Sequence, residues 1–90
     1  MKMMCRTRVE NFDRWFGVFR SHENAHREAG LALELLAREK GDPDNIFFVF
    51  EIRNLDLAIA FLESPESAEA GKNAGVIDGE YHFVDELNGY

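Results

Sequence analysis

Ninety residues, 46% hydrophobic and with a formal net charge of −7, suffice for one small domain and exclude several classes at once. The chain is too apolar for disorder, and its acid excess opposes nucleic acid and anionic membrane, whose phosphates need clustered Lys and Arg. The longest unbroken apolar run, residues 57–62, is far too short to span a bilayer.

Cys5 is the only cysteine, so no internal disulfide can form. Residues 1–9 lack the apolar segment of a signal peptide, and the expected location is the cytoplasm. No repeat, linker or low-complexity tract interrupts the chain, which reads as a single domain over 1–90. A core this small buries roughly 60% of the unfolded surface.

Alternation over residues 1–9 predicts a strand with Met3, Cys5, Thr7 and Val9 on one face. Asn11 and Asp13 open a helix over 12–29, and Gly30 stops it. Residues 31–40 have a composition that also suits a helix. Gly30 before them and the turn residues 41–45 after them decide for a strand, with Leu31, Leu33, Leu35 and Ala37 in one row and Glu34, Leu36 and Arg38 in the other. Residues 46–52 form a third strand, Ile46, Phe48, Phe50 and Ile52 facing one way and Phe47, Val49 and Glu51 the other. Asn54 caps a helix over 55–62, and Ser64 with Pro65 starts a short one that ends near Gly75. Residues 81–87 complete the chain as a fourth strand.

The order β-α-β-β-α-β is the ferredoxin-like α+β arrangement, a four-stranded antiparallel sheet with its helices on one face. The opposite face is expected to carry Met4, Arg6, Leu36, Phe47, Val49 and Val84. A large apolar side chain left in water forfeits about 1.5–3 kcal/mol of burial. With no third layer in the chain, the expected cover is a second copy, giving a homodimer joined through its sheet faces.

One stripe of the first helix reads Phe12, Trp15, Phe19, His22, His26. At about 100° per residue all five fall within a narrow arc. His22 and His26 can complete a core, line a pocket or, at i and i+4, hold a metal ion with His82 or Glu23 as a third ligand. Two histidines without a cysteine cluster do not make a metal site, and neither a metal nor a cofactor is expected. If there is a catalytic site, His22 and His26 belong to it, because neutral imidazole moves protons near pH 7. Trp15 is the candidate wall. Arg6, Glu51 and His82 share the other sheet face and are candidate ligand contacts there, or ion-pair partners across the interface. The GxSxG, phosphate-loop and GxGxxG patterns are all absent.

Several segments together resemble the dimeric α/β-barrel superfamily, in a short cyclase- or monooxygenase-like branch: Val9-Glu10-Asn11-Phe12-Asp13-Arg14-Trp15, Phe19-Arg20-Ser21-His22, Ala29-Gly30, residues 58–66, Ala74-Gly75-Val76 and residues 81–86. The resemblance covers nearly the whole chain. It implies a cofactor-free protein that binds or converts a small aromatic or polyketide-like molecule as a cyclase, isomerase or monooxygenase. Haem-degrading relatives pair an Asn on the first strand with a His on the second helix, and neither is present here. A non-catalytic interaction or regulatory module with structural histidines is the alternative, since this fold hosts both.

Overall fold

The computed structural model describes residues 1–89. Strands β1 (Lys2–Val9), β2 (Leu31–Glu39), β3 (Asp42–Ile52) and β4 (Val76–Val84) form one antiparallel sheet in the order β2-β3-β1-β4. Helices α1 (Phe12–Ser21), α2 (Glu23–Glu28), α3 (Leu55–Leu62) and α4 (Pro65–Asn73) connect them. This is the expected ferredoxin-like topology, with β1 and β3 central.

Three helices start where the sequence places a cap. The Asn11 side chain accepts from the Arg14 amide, that of Asn54 from Leu57 and that of Ser64 from Ser67, each at 3.0–3.1 Å. The core lies between helices and sheet in two clusters. One gathers Met3, Cys5, Leu31, Phe50 and Ala58; the other gathers Val9, Trp15, Ile46 and Ala74. Phe19 and Phe48 touch both and join them.

Four expectations need correction. The helix expected over 12–29 breaks at His22. The Ser21 hydroxyl donates to the Val18 carbonyl at 2.6 Å and His22 Nδ1 lies 2.9 Å from the same oxygen, so side chains take the acceptor that the next helical amide would use. The second strand carries a bulge between Leu33 and Leu35. It reverses the alternation, so Leu36 joins the helix-side core while Leu35 and Ala37 pair with Val49 and Phe47 on the open face.

The third strand begins at Asp42, not after a turn over 41–45. Gly41 alone takes the left-handed conformation, at φ +87°, and Asp42 is held by Arg8 at 2.8 Å. The fourth strand runs Val76–Val84 instead of 81–87, because Gly75 turns the chain at φ +74° and Val9 pairs directly with Val76. No alternating apolar pattern marks residues 76–80; pairing to β1 extends them.

Gly30 makes the tightest of these turns. Its φ is +76°, and a Cβ there would sit 2.9 Å from the Asn54 backbone nitrogen. Gly30→Ala is therefore expected to cost about 1–3 kcal/mol in a denaturant titration. Gly17→Ala, at a helical position with nothing within 4 Å, should instead stabilise by about 0.5–1 kcal/mol. Equal effects at the two sites would refute this account of the turn.

Candidate functional site

Aromatic rings run from α1 into α2 along the predicted stripe. Trp15 is buried, and its ring centroid lies 4.7 Å from that of Phe19 and 5.7 Å from Phe48. Phe19 continues to His26 at 5.0 Å, and His26 also meets Phe50 at 5.2 Å and Phe61 at 5.6 Å. The imidazole thus occupies a place in an aromatic cluster, partly shielded from water. Burial, with a smaller contribution from nearby His22, pushes its pKa down to about 4. It is neutral at pH 7; neither ring nitrogen is bonded to another described residue, and neither is sealed from water.

Two clefts meet at this ring. The inner one, about 370 Å³, lies between the helices and the β1–β4 half of the sheet. Trp15, Phe19, His26 and Phe61 line its helix side, and Cys5, Thr7 and Tyr81 its floor. The outer one, about 500 Å³, lies between α1–α2 and edge strand β2. Phe19, His26, Leu31 and Phe50 belong to both walls.

The other histidine of the pair plays a different part. His22 sits at the break between α1 and α2 and lines neither cleft. A carbonyl only accepts, so the bond to Val18 assigns the proton to Nδ1. The His26 amide bonds the His22 carbonyl at 2.9 Å, so that turn is helical, but the His22 ring is held back toward Val18 while the His26 ring sits among Phe19, Phe50 and Phe61. Among the described residues no group of three or more His, Cys, Asp and Glu side chains is placed to share a metal ion.

Arg6, Glu51 and His82 lie on the open face of the sheet, away from both clefts. Arg6 bonds Asp78 at 2.9 Å, Glu80 at 3.1 Å and the buried Asn45 at 3.0 Å. His82 Nε2 lies 2.8 Å from the same Glu80, and these two partners hold that carboxyl below its usual range. The structure thus separates the six candidates: Trp15 and His26 at the inner cleft, His22 at the helix break, and Arg6, Glu51 and His82 across the sheet.

Cys5 faces the inner cleft, but burial pushes its thiol up to about 12, which leaves it protonated and unreactive at neutral pH. Sequence reasoning passes over Thr7 and Tyr81, the hydroxyl groups of the inner floor. Tyr81 stands opposite Cys5 on the neighbouring strand, so its parity with the Met3-Cys5-Thr7 row is the signal that could have found it.

No family model matches the chain, and no curated protein does. Solved structures do. An antibiotic biosynthesis monooxygenase superposes with a TM-score of 0.72 at 17% identity, over 96% of this chain and 97% of that one. A candidate antibiotic biosynthesis monooxygenase from Bordetella bronchiseptica gives 0.75 at 14% identity, over 96% and 95%. A variant of SnoaB, a cofactor-independent oxygenase from Streptomyces nogalater, gives 0.68 at 15% identity, over 97% and 94%. The likeness is one of fold, the ferredoxin-like fold.

The buried imidazole has a consequence for stability. The unfolded chain binds a proton at His26 near pH 6.5, the folded chain only near pH 4, so lowering the pH between these values favours unfolding. The loss should be about 1–2 kcal/mol once partial exposure is allowed for. His26→Phe should flatten that limb of the stability curve. An unchanged slope would place the imidazole in water.

Proposed function

We propose that this ferredoxin-like chain is a small dimeric-α/β-barrel protein of the monooxygenase- or cyclase-like kind, which takes a planar aromatic or polyketide-like molecule into the inner cleft and converts it without a cofactor. The observation that carries this reading is the neutral, unbonded imidazole of His26 on the wall of an aromatic-lined cleft. Pockets of roughly 300 Å³ or more with a few polar groups on apolar walls suit ligands of this class. Trp15 and Phe19 offer stacking surface, while Thr7 and Tyr81 offer hydroxyl groups for orientation.

His26 would accept a proton from a phenol or an activated methylene. A base of pKa about 4 is weak at neutral pH, but an enolate formed beside the ring would raise the imidazolium's pKa and hold the proton there. The enolate then attacks a carbonyl of the same molecule, which closes a ring, or reacts with dioxygen. In oxygenation a CH2 becomes C=O, one oxygen atom enters the product and the other leaves as water. The substrate supplies all the electrons.

Trp15 is the only tryptophan and lines the inner cleft, so its fluorescence reports occupancy. Hydroxylated naphthalenes and anthrones are expected to quench it saturably, and a turned-over compound should consume oxygen or cyclise. His26→Phe should keep the fold and lower turnover by about 10²–10⁴-fold. Quenching without turnover for any compound would favour the binding-module reading, in which the ring contacts of His26 serve packing alone.

The open face carries Met4, Leu35 and Phe47, each more than a third exposed. We infer that a second copy covers them, with the Lys2 and Arg6 ion pairs at the margin. Sedimentation should give about twice 10.3 kDa, and Phe47→Glu should yield the monomer, because an unpaired charge at an apolar interface is costly. A wild-type monomer at micromolar concentration would overturn the inference.

A further inference from the structure

The inner cleft leaves the outer one unexplained, and the two differ in chemistry. Leu31, Leu33, Leu36 and Phe50 floor the outer cleft, and Leu33 is 46% exposed, an uncovered leucine in a concave site. Its rim holds Arg20, Arg27 and Arg53, three of the seven arginines in a chain of net charge −7. Among the described residues Glu23 is the only carboxylate lining it.

The arginines elsewhere are mostly neutralised. Arg6 pairs with Asp78 and Glu80, Arg8 with Asp42 and Arg14 with Glu10. At the outer cleft, Arg27 is tied to Asn24 at 2.8 Å and lies 3.9 Å from Glu23. Arg20 and Arg53 have no carboxylate partner among the described residues. The Arg20 guanidinium carbon lies 5.5 Å from the Phe16 ring centroid, a placement that holds the cation over the cleft wall. The Arg53 amide donates to the Gly30 carbonyl at 2.8 Å, which fixes its backbone beside the start of β2.

We propose that the outer cleft is a second binding site, for a small amphipathic carboxylate whose aromatic or acyl body lies on the leucines and Phe50 and whose carboxylate is held by Arg20 and Arg53. Guanidinium matches a carboxylate in geometry as well as charge. A bare phosphate would leave the apolar floor wet. An added β-strand is disfavoured because the bulge at residues 33–35 breaks the regular edge that such a strand needs. The proposal does not rest on the reading of the inner cleft, although the two clefts share Phe19, His26, Leu31 and Phe50 as walls.

The test uses 2-naphthoate and decanoate as probes, with 2-naphthylmethanol as the uncharged match, in an amide NMR titration of the full chain. Both carboxylates should shift the amides of Arg20, Leu33 and Arg53 saturably, and more weakly as salt rises. The double variant Arg20→Gln/Arg53→Gln alters exposed residues only. It should keep its thermal midpoint and bind the carboxylates about tenfold or more weakly, with naphthylmethanol unchanged. The proposal is overturned if naphthylmethanol binds as well as naphthoate or if the double variant keeps full affinity. It is equally overturned if the shifts gather at Thr7 and Tyr81 of the inner cleft, or if neither carboxylate saturates below roughly 5 mM, the weak end of useful affinity. Quenching of Trp15 reports the inner cleft separately, so a failure at one site is distinguishable from a failure at the other.

Discussion

The stacking of Trp15 and Phe19 against Phe48 and Phe50 is the joint on which this fold depends. A helix and a sheet must bury an apolar stripe against an apolar row, and here both are aromatic. Rings from α1, α2 and β3 fill the centre of the layer between helices and sheet. Small residues such as Ala58 and Ala74 let α3 and α4 come close elsewhere. The two clefts are what remains on either side of the aromatic joint.

His26 stands at the end of that joint, and its chemistry follows from its place. An aromatic side chain there would extend the packing, as the contacts to Phe19, Phe50 and Phe61 show. Imidazole retains most of that contact and adds two nitrogens that no described residue satisfies. Desolvation makes the charged form costly, so the ring stays neutral across the physiological range. The same placement that makes it a good packing residue makes it an available proton acceptor at the wall of both clefts.

The sheet divides the polar chemistry of the molecule. Ionic side chains on the open face are largely satisfied by one another: the Arg6 and Arg8 pairs span neighbouring strands, and the Lys2–Glu34 pair reaches from β1 across β3 to β2. On the helix side, Arg20 and Arg53 stand at the rim beside β2 without a carboxylate among the described residues. Exposed ion pairs of the first kind add little stability singly. Between them Met4, Leu35 and Phe47 stay more than a third exposed.

Much of this was legible in the residues alone. Cap and stop residues such as Asn11, Gly30, Asn54 and Ser64, together with the alternation of Ile46, Phe48 and Phe50, determine the element order and hence the topology, because those preferences are local. The helix-side role of Trp15 and Phe19 follows from their spacing. The break at His22, the bulge near Glu34 and the start of β4 at Val76 were hidden. Each is settled by a hydrogen bond or strand pairing to atoms distant in sequence, or by a side chain competing with the backbone for one carbonyl. These three features decide the site: the break sends His22 away from the clefts, the bulge turns Leu36 inward, and the pairing of β4 sets Tyr81 beside Cys5. Local sequence determined which elements form and which faces are apolar. Only the tertiary structure decided which side chains share a cavity, because convergence in space depends on register, and register is a property of paired strands.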